Sequence, residues 1–278
     1  MENRIRRQFN RSANVYDSHA HVQRRMAEWL AGSLEGLRNN IGSAKPDLLE
    51  IGCGTGALTE RLLRDYPDAS LLAMDIAPAM VEEARKRTRS VLAGRSDNQP
   101  RFILADVEKW AATATAASQN MIVSNACFQW MGNPAETLSR LGTVLRPGGL
   151  LLFTTFGPQT FRELHRSFEY AYLAAGREPQ RHGLSFPPAD RWQSMLREAG
   201  FQAITVERTV HSQSYRSAKD FLHAVKAAGA SASEASDGPG LGSRHLFDAM
   251  FAYYEDRYGI PEGVQATYEL YLIAASVP

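Results

Sequence analysis

Residues 48–57 read LLEIGCGTGA, from Leu48 to Ala57, and this segment decides the fold of the 278-residue chain. An apolar run ends in a carboxylate, and three glycines follow at alternate positions. Glycine lets the backbone turn tightly and approach a ligand where a β-carbon would clash. The pattern therefore predicts a β-strand, a ligand-binding loop and a helix, in that order.

Two nucleotide ligands are compatible with this loop, besides a purely structural turn. Gly52, Gly54 and Ala57 satisfy the dinucleotide fingerprint, in which a helix N-terminus holds a pyrophosphate. Glu50 favours the other ligand, because a carboxylate two residues before the first glycine repels a pyrophosphate and attracts an ammonium group. S-adenosylmethionine carries such a group at its amino-acid end. We therefore predict that Glu50 and the three glycines, the third being Gly56, bind S-adenosylmethionine.

A helix and a second strand follow the loop. Apolar spacing predicts a helix over 57–66 and a strand over 70–75 that ends in Asp75. A strand-end carboxylate about twenty residues after the glycines can accept both ribose hydroxyls of an adenosine. Pro78 stands at a first helical turn, so Asp75 can also cap the next helix. We predict ribose binding, and the two roles are compatible.

Two further strands also end in polar residues. Residues 101–105 precede Asp106 and Val107, and residues 119–124 precede Asn125. Asp106 can accept the adenine amino group with Val107 against the ring, although an ordinary strand-end turn explains the same residues. The carboxyl ends of parallel strands form the edge where open α/β sheets bind ligands. The remaining cofactor contacts predicted at this edge are Ile76, Met80 and Asn125.

In combination, these motifs resemble the class I S-adenosylmethionine-dependent methyltransferases. The resemblance covers residues 47–156 and includes Glu50 to Gly56, Asp75, Asp106 and the turn from Leu145 to Gly149. It implies a Rossmann-like α/β fold. Such a fold has a mostly parallel seven-stranded sheet, with helices on both faces.

The chain further resembles one group within this family, the malonyl-acyl-carrier-protein O-methyltransferases of biotin synthesis. The motifs that carry this finer resemblance are individually weak, but they span most of the chain. They occupy residues 9–20, 124–130, 153–157, 222–230 and 267–269. The resemblance implies methyl transfer to the free carboxylate of a malonyl thioester on an acyl carrier protein.

The implied reaction places few demands on acid–base chemistry. A carboxylate oxygen is already ionised near neutral pH, so no general base is required. Placement of the reacting atoms and exclusion of water would supply the catalysis. A buried carboxylate also needs a cationic or hydrogen-bonding partner. We predict Tyr16, Gln129, Trp130 and Lys226 for the substrate pocket, although each also fits a core or surface position.

Two other functions share the cofactor motifs. One is a methyltransferase for a small molecule, such as a quinone precursor or a free dicarboxylic acid like aconitate. The other is a non-enzymatic module that binds S-adenosylmethionine, or its demethylated product, as a signal. Methylation of free acids without a carrier protein would favour the first, and tight cofactor binding without methyl loss would favour the second.

Composition limits the function further. A chain of 278 residues with 44% apolar content can bury a full α/β core, and a net charge of +1 gives no field that implies nucleic acid. Cys53 and Cys127 lack metal spacing and indicate a reduced, cytoplasmic compartment. His19 and His21 are two apart and cannot share a metal on a helix. With neither a signal peptide nor a long apolar run, we expect no membrane association. The spacing of these cysteines and histidines leads us to expect no metal, and we expect a monomer.

We expect a single domain over residues 1–278. Its predicted parts are an N-terminal helical lid (1–32), a cofactor-binding core (47–156), a sheet continuation (157–210), a helical lid insertion (211–263) and a final strand (264–278). A packed appendage without a catalytic role is the alternative to the lid. The linker 230–240 is polar and glycine-rich, which predicts mobility. The basic run Arg85–Arg89 fits either a solvated helix end or a patch that docks a partner.

Overall fold

The structure is a computed structural model, and it describes residues 2–37, 43–93, 99–227 and 241–278. The chain divides into two compact units. The first unit comprises residues 1–155, 188–208 and 271–278, and the second comprises residues 156–187 and 209–270. The linker predicted at 230–240 lies outside the described residues. The partition predicted for a single domain stays a prediction.

The strands of the described residues form one mostly parallel sheet. They are β1 (Asp47–Ile51), β2 (Ser70–Asp75), β3 (Arg101–Leu104), β4 (Gln119–Asn125), β5 (Leu145–Phe156), β6 (Gln202–Tyr215), β7 (Gly259–Ile260) and β8 (Gly263–Ser276). Their order is β3-β2-β1-β4-β5-β8-β6, and β7 pairs with β8. The pairs from β3 to β5 are parallel. The predicted α/β class is confirmed.

Helices follow or precede most strands, as α/β alternation requires. They are α1 (Glu2–Ser12), α2 (Tyr16–His19), α3 (His21–Leu37), α4 (Ala57–Asp65), α5 (Pro78–Leu92), α6 (Val107–Trp110), α7 (Pro134–Val144), α8 (Arg162–Ala174), α9 (Ala189–Glu198), α10 (Ala218–Ala227) and α11 (Leu241–Tyr258). A 3-10 turn covers Phe128–Trp130. The N-terminal stretch is helical as predicted, and its action as a lid stays a prediction.

The predicted number of seven strands is wrong, because the described residues contain eight. The additional strand, β7, has two residues and pairs antiparallel with the start of β8 through Gly259 with Val264 and Ile260 with Gly263. Two residues are too few to give an alternating pattern in a sequence. The strands predicted over 70–75, 101–105 and 119–124 agree with the structure to within one residue. β6 differs, because it continues to Tyr215, five residues into the segment 211–263 predicted as a helical insertion, and these residues alternate between half-buried and exposed as in a strand.

The central strands of the first unit bury both of their faces. Leu49 and Ile122 belong to one core, with residues of α7 and α9, and are fully buried. Leu48 and Val123 belong to a second core, with residues of α3 and α4. Strands that are buried on both faces read as continuous apolar runs. Residues 48–51 and 121–123 form such runs, apart from Glu50.

The second unit has an aromatic core of its own. The ring of Phe161 lies 5.3 Å from that of Phe221 and 5.1 Å from that of Tyr268, both edge to face. Tyr254 is buried, and its hydroxyl donates to the carbonyl of Gln265 at 2.9 Å. Edge-to-face aromatic pairs add to the burial of apolar area. This unit is therefore held by packed rings.

Two buried carboxylates of the second unit have hydrogen-bond partners. Glu163 accepts from the backbone N–H of Thr267 at 3.0 Å through Oε2 and from the Thr267 hydroxyl through Oε1. Glu269 accepts from the backbone N–H of Gln159 at 2.7 Å through Oε2. Buried polar groups are stable when such bonds replace those to water. These carboxylates therefore join segments of the unit.

None of the helices described combines the length and apolar character needed to cross a membrane. Within the described parts of the chain, histidine, cysteine and acidic side chains form no group of three suited to a metal ion.

Candidate functional site

The glycine loop between β1 and α4 adopts left-handed backbone conformations. Gly52, Gly54 and Gly56 have φ values of 70°, 52° and 86°. The backbone N–H groups of Gly52 and Cys53 both donate to the carbonyl of Met74 at 2.9 Å. These bonds hold the loop at the carboxyl end of β2.

The last two glycines are required for different reasons. A Cβ on Gly54 would meet no described atom within 4 Å, so the backbone there is open to a ligand. A Cβ on Gly56 would lie 2.8 Å from Cα of Ala84 in α5. Gly56 therefore permits α4 and α5 to pack closely, and it lines neither of the two cavities described next.

The larger of the two cavities that adjoin the glycine loop lies at the carboxyl ends of β1 to β4. It encloses about 920 Å³, including its open mouth. The residues predicted from sequence that line it are Gly52, Gly54, Asp75, Ile76, Met80, Asp106, Val107, Asn125, Tyr16 and Trp130. Sequence reasoning missed the lining residues Ile5, Phe9, Ile51, Met74, Ala105, Glu108, Ala126, Cys127, Met131 and Gly132. Most of these are apolar, and a motif search has no signal for them.

A smaller cavity of about 400 Å³ adjoins Glu50 and the start of α4. It shares wall residues with the larger cavity, namely Tyr16, Gly52, Gly54 and Asn125. The glycine loop and Tyr16 thus belong to the walls of both. An elongated ligand could therefore place a planar end in the larger cavity and a charged end in the smaller cavity beside Glu50.

Glu50 is the buried acid of the site. It is 1% exposed, and burial raises its pKa to about 8. Among the described residues, no hydrogen-bond partner reaches its Oε2 atom. A buried carboxylate oxygen without a donor is costly and marks a place where a ligand donor fits. An ammonium group meets this need and also favours the ionised form of Glu50.

Asp75 already bonds to the loop. Its Oδ2 accepts from the N–H of Gly54 at 2.9 Å, and its Oδ1 accepts from the N–H of Ala77 at 2.8 Å. Burial raises the pKa of this carboxyl. Ala77, not Asp75, occupies the position before α5. A carboxylate oxygen can accept more than one hydrogen bond, so ribose hydroxyls can still bind.

The position of Asp106 is compatible with both interpretations that the sequence allowed, an ordinary strand-end turn and a contact with adenine. Its Oδ1 accepts from the N–H of Glu108 at 3.0 Å and so caps α6. Its Oδ2 lies 3.9 Å from Nζ of Lys109. Asp106 also lines the larger cavity beside Val107. The cap holds this carboxylate at the cavity wall.

The amides of Asn125 and Gln129 are occupied within the protein. Asn125 donates to the carbonyl of Gln23 at 3.0 Å and accepts from the Thr154 hydroxyl at 2.7 Å. Gln129 donates to the carbonyl of Ala126 at 2.6 Å and accepts from a hydroxyl of β5 at 3.3 Å. Gln129 lines neither cavity. Its substrate role stays a prediction, as does the cofactor role of Asn125.

The remaining substrate candidates lie in different units. In the first unit, the Phe9 ring lies 6.3 Å from the Tyr16 ring and 5.4 Å from the Trp130 ring. Burial, followed by the charge of Asp75, raises the pKa of Tyr16, which keeps the phenol neutral. Lys226 lies on α10 in the second unit and is exposed.

Sequence reasoning also missed a polar contact between the N-terminal helices and the loop. The Thr55 hydroxyl donates to Oδ1 of Asp17 at 2.7 Å, and Arg87 forms an ion pair with Oδ2 of Asp17. Lys86, the neighbour of Arg87, pairs with Glu83 on its own helix at 2.8 Å. Part of the basic run Arg85–Arg89 therefore belongs to a solvated helix face, which is one of the two interpretations that the sequence allowed. Arg87 differs, because it contacts Asp17 of α2. No local pattern connects Asp17 with Arg87.

Comparisons with known proteins agree with this geometry. A family model described as a methyltransferase domain matches residues 18–206. A malonyl-(acyl-carrier protein) O-methyltransferase of Paenibacillus sp. (strain JDR-2) is 50% identical over 273 residues, which cover 98% of this chain and 97% of that protein. The protein of the same name from Brevibacillus brevis is 41% identical over 272 residues, which cover 98% of this chain and 95% of that protein.

The fold is also similar to that of a solved structure. The YcgJ protein from Bacillus subtilis matches with a TM-score of 0.59 and 14% sequence identity, covering 90% of this chain and 98% of that one. At this identity the likeness concerns the fold alone. It agrees with the Rossmann-like architecture predicted from the glycine loop.

Proposed function

The chain belongs to the malonyl-(acyl-carrier protein) O-methyltransferase family of methyltransferases, and we propose that it methylates the free carboxylate of a malonyl thioester carried on an acyl carrier protein. S-adenosylmethionine is the methyl donor. The product is a methyl ester, as required for a biotin precursor. The acceptor and its carrier follow from the family, and the donor follows from the family and the site.

One observation carries the cofactor assignment. The buried Oε2 of Glu50 has no partner among the described residues, and Glu50 lines the smaller cavity. S-adenosylmethionine has an ammonium group at one end and an adenine ring at the other. A dinucleotide would instead bring a pyrophosphate, whose negative charge cannot pair with the ionised form of Glu50 and would disfavour that form. The site therefore fits S-adenosylmethionine and disfavours the alternative fingerprint.

The first unit supplies a group for each part of the cofactor. Glu50 would pair with the ammonium group, and the open backbone at Gly54 would lie against the ligand. Asp75 would accept the ribose hydroxyls, and Asp106 the adenine amino group. Apolar side chains of the larger cavity, among them Ile76, Met80 and Val107, would pack against the ring. When bound, S-adenosylmethionine supplies a methyl group activated by its positively charged sulfur.

The protein then contributes placement rather than proton transfer. A malonyl carboxylate is ionised at neutral pH, so it reacts without a base. Tyr16 has a raised pKa, and burial raises the pKa of Cys127 to about 12, so neither is a good base near neutral pH. Holding two reactants in line is worth about 7–11 kcal/mol of barrier. Tyr16 and Trp130 would orient the acceptor and exclude water.

The acidic acceptor also needs a positive partner. We retain Lys226 for this role, because it is a cation of the helix that resembles the corresponding helix of the family. Gln129 would act through the backbone of Ala126, to which its amide is bonded. Lys226→Met should raise the KM for the malonyl substrate and leave cofactor affinity unchanged. Equal kinetics in the two proteins would remove Lys226 from the site.

Mass spectrometry tests the proposed reaction. The full chain is incubated with malonyl-carrier protein and methyl-labelled S-adenosylmethionine, and the carrier should gain one labelled methyl group. Carrier protein bearing an acetyl thioester is the matched control, because it lacks the free carboxylate and should gain nothing. Equal methylation of free malonate would indicate a small-molecule methyltransferase. Cofactor binding without methyl loss to any acyl acceptor would indicate a non-enzymatic module.

A further inference from the structure

We propose that Asp17 and Arg87 are positioning residues that hold Tyr16 at the glycine loop and thereby set the affinity and residence time of the cofactor. Together with Thr55 they form a three-residue contact, called the clasp below. The inference rests on the proposed function, because it assigns a role in binding S-adenosylmethionine. None of the three residues is among the sequence-predicted site residues.

The clasp joins three separate segments of the first unit. Asp17 lies in α2, Thr55 in the glycine loop and Arg87 in α5. Arg87 donates to the carbonyl and the hydroxyl of Thr55 at 3.2 and 3.1 Å and pairs with one oxygen of Asp17. The Thr55 hydroxyl donates to the other oxygen of Asp17 at 2.7 Å. A planar guanidinium fork suits such multiple acceptors, and a lysine does not.

The clasp adjoins the cofactor site on both sides. Thr55 is buried and lies between Gly54, whose backbone is open to a ligand, and Gly56, which begins α4. Asp17 directly follows Tyr16, which lines both cavities. Helix α2 has four residues, too few to be stable alone. Tertiary contacts must therefore fix the position of Tyr16, and they are apolar packing against Ala77 and Met80 and the polar clasp at Asp17.

Two neutral hydrogen bonds also fasten the N-terminal helices. Asn10 accepts from the N–H of Ala79 at 2.9 Å, and Gln23 accepts through its carbonyl from Asn125 at 3.0 Å. The clasp differs from these because it is charged. The side chains of Arg87 and Asp17 are 28% and 39% exposed, so water and salt reach the pair. The clasp is therefore the fastening that charge removal and salt should weaken first.

Arg87 has a second acidic neighbour. Its Nε lies 3.9 Å from Oε2 of Glu60 on α4, and Oε1 of Glu60 pairs with Arg64. Without Asp17, Arg87 would retain Thr55 and Glu60 as partners. Helix α2 would lose its charged contact with α5 and the glycine loop, and would keep only the bond from Arg24 of α3 to the Asp17 carbonyl among its charged contacts described here. Helix α3 stays anchored in the core, so loss of Asp17 is expected to loosen α2 without disturbing the helices on the sheet.

Cofactor affinity should depend on how often the clasp is closed. The apparent affinity equals the intrinsic affinity multiplied by the fraction of molecules in the competent state. If loss of the clasp leaves about a tenth of the molecules closed, the Kd rises roughly tenfold. Dissociation becomes faster to a similar extent. At saturating cofactor the kcat changes little, because binding then drives closure.

The test compares variants of the full chain. Asp17→Asn keeps the shape of the side chain and removes its charge, and Arg87→Met removes the fork. Lys86→Met is the matched control, because it removes a cation from the adjacent position of α5, where Lys86 pairs with Glu83 of the same helix. Calorimetry gives the Kd for S-adenosylmethionine, stopped-flow fluorescence gives its dissociation rate, and thermal melting gives Tm.

We expect Asp17→Asn and Arg87→Met each to raise the Kd about tenfold, and the double variant to lose no more than either one. Arg87→Lys should restore part of the affinity. Added salt should weaken binding in the wild type more than in Asp17→Asn. Lys86→Met and all Tm values should stay near those of the wild type.

Other outcomes would overturn the inference. Wild-type affinity and dissociation rate in both clasp variants would show that the pair does not position the site. If Lys86→Met lost as much affinity as the clasp variants, the effect would be a general structural one. The same conclusion would follow if the clasp variants lost affinity together with a fall in their Tm. Absence of cofactor binding by the wild type would overturn the proposed function and this inference together, whereas unchanged variants would overturn the inference alone.

Discussion

Two buried glutamates, one in each unit, have opposite surroundings. Glu163 of the second unit is 3% exposed, and both of its oxygens accept hydrogen bonds from Thr267. Glu50 of the first unit is 1% exposed, and its Oε2 has no partner among the described residues. The two side chains have the same chemistry and nearly the same burial. Their partners, rather than their burial, distinguish a structural acid from a binding acid.

The comparison separates stability from function. Burial of a polar group is costly unless a hydrogen bond replaces water. At Glu163 the protein itself supplies the bonds, so removing the acid should harm folding. At Glu50, Thr59 bonds to the carboxyl group but Oε2 lacks a partner among the described residues. Under the proposed function a ligand supplies that bond, so removing the acid should harm binding and spare folding. Three predictions vary this contrast, with Glu163→Gln as a control, and a fourth concerns the carrier protein; they run from the largest expected effect to the smallest.

The first prediction concerns Glu50→Gln. The amide is neutral and cannot form an ion pair with the ammonium group of the cofactor. Hydrogen bonds to charged groups are worth about 1.5–3 kcal/mol, so the Kd for S-adenosylmethionine should rise by about one to two orders of magnitude. The Tm without cofactor should stay equal or increase, because a buried acid is removed. Calorimetry and thermal melting measure the two effects.

Glu163→Gln is the matched control for that prediction. Its amide N–H₂ would face a donor of Thr267, leaving a buried group unsatisfied at a cost of about 1–3 kcal/mol. The Tm should fall while the cofactor Kd remains that of the wild type. If Glu163→Gln weakened cofactor binding more than Glu50→Gln, the contrast between the two acids would be wrong.

Asp75→Asn should give a smaller loss of affinity than Glu50→Gln, about tenfold. Asp75 shares a property with each glutamate. Like Glu163 it accepts hydrogen bonds from the protein, here from the backbone N–H groups of Gly54 and Ala77, and like Glu50 it lines a cavity. The asparagine oxygen retains one of these bonds, and its N–H₂ disturbs the other. A modest fall in Tm should therefore accompany the loss of affinity. Unchanged affinity in a folded variant would exclude the ribose role.

The pH dependence of stability gives the third contrast. The pKa of Glu50 is about 8 in the folded protein, above the ordinary value of 4.5 for a glutamate. The folded state therefore holds a proton that the unfolded state releases, and the associated stability is present below pH 4.5 and is lost as the pH rises towards 8. As the pH rises from 4.5 to 8 without cofactor, the Tm of the wild type should fall by a few degrees relative to that of Glu50→Gln. Parallel Tm curves for the two proteins would contradict the unpartnered state of Glu50.

The smallest expected effect concerns the carrier protein. Arg7 and Arg11 are exposed on α1, whose Ile5 and Phe9 line the larger cavity. Acyl carrier proteins are acidic, so Arg7→Glu with Arg11→Glu should raise the KM for malonyl-carrier protein a few-fold at low salt. Added salt should reduce the difference, since exposed charges are screened beyond about 10 Å at 0.1 M. A malonyl thioester without the protein is the control substrate, and equal effects on both substrates would exclude docking on α1.

The sequence predicts the cofactor end of the molecule because that end depends on local patterns. Apolar runs mark the buried strands, and each predicted carboxylate follows directly from a strand end. Asp75 and Asp106 were placed at the cavity wall by this rule alone. The family resemblance supplied the acceptor, which no local pattern reveals.

The unpredicted features depend on contacts between distant residues. The pair of Asp17 and Arg87 joins two helices that are far apart in the chain, and no periodicity encodes it. The motif position of Gly56 is the same whether the residue contacts the cofactor or permits close helix packing. Only the proximity of Ala84 in the folded chain shows that Gly56 permits α4 and α5 to pack closely. Gln129 is predicted for the substrate pocket, but its amide donates to the carbonyl of Ala126 within its own loop. Side-chain partners of this kind require the folded chain.

The contact between Gly52 and Cys127 restricts how this site can change during evolution. A Cβ on Gly52 would lie 2.5 Å from Sγ of Cys127 and would also have to adopt a φ of +70°. Substitution of Gly52 alone is therefore selected against twice, by collision and by backbone strain. Loss of the thiol, as in Cys127→Gly, would remove the collision and leave the strain. A lineage can thus reach a larger residue at position 52 only after position 127 has become smaller, so the order of the two substitutions is fixed.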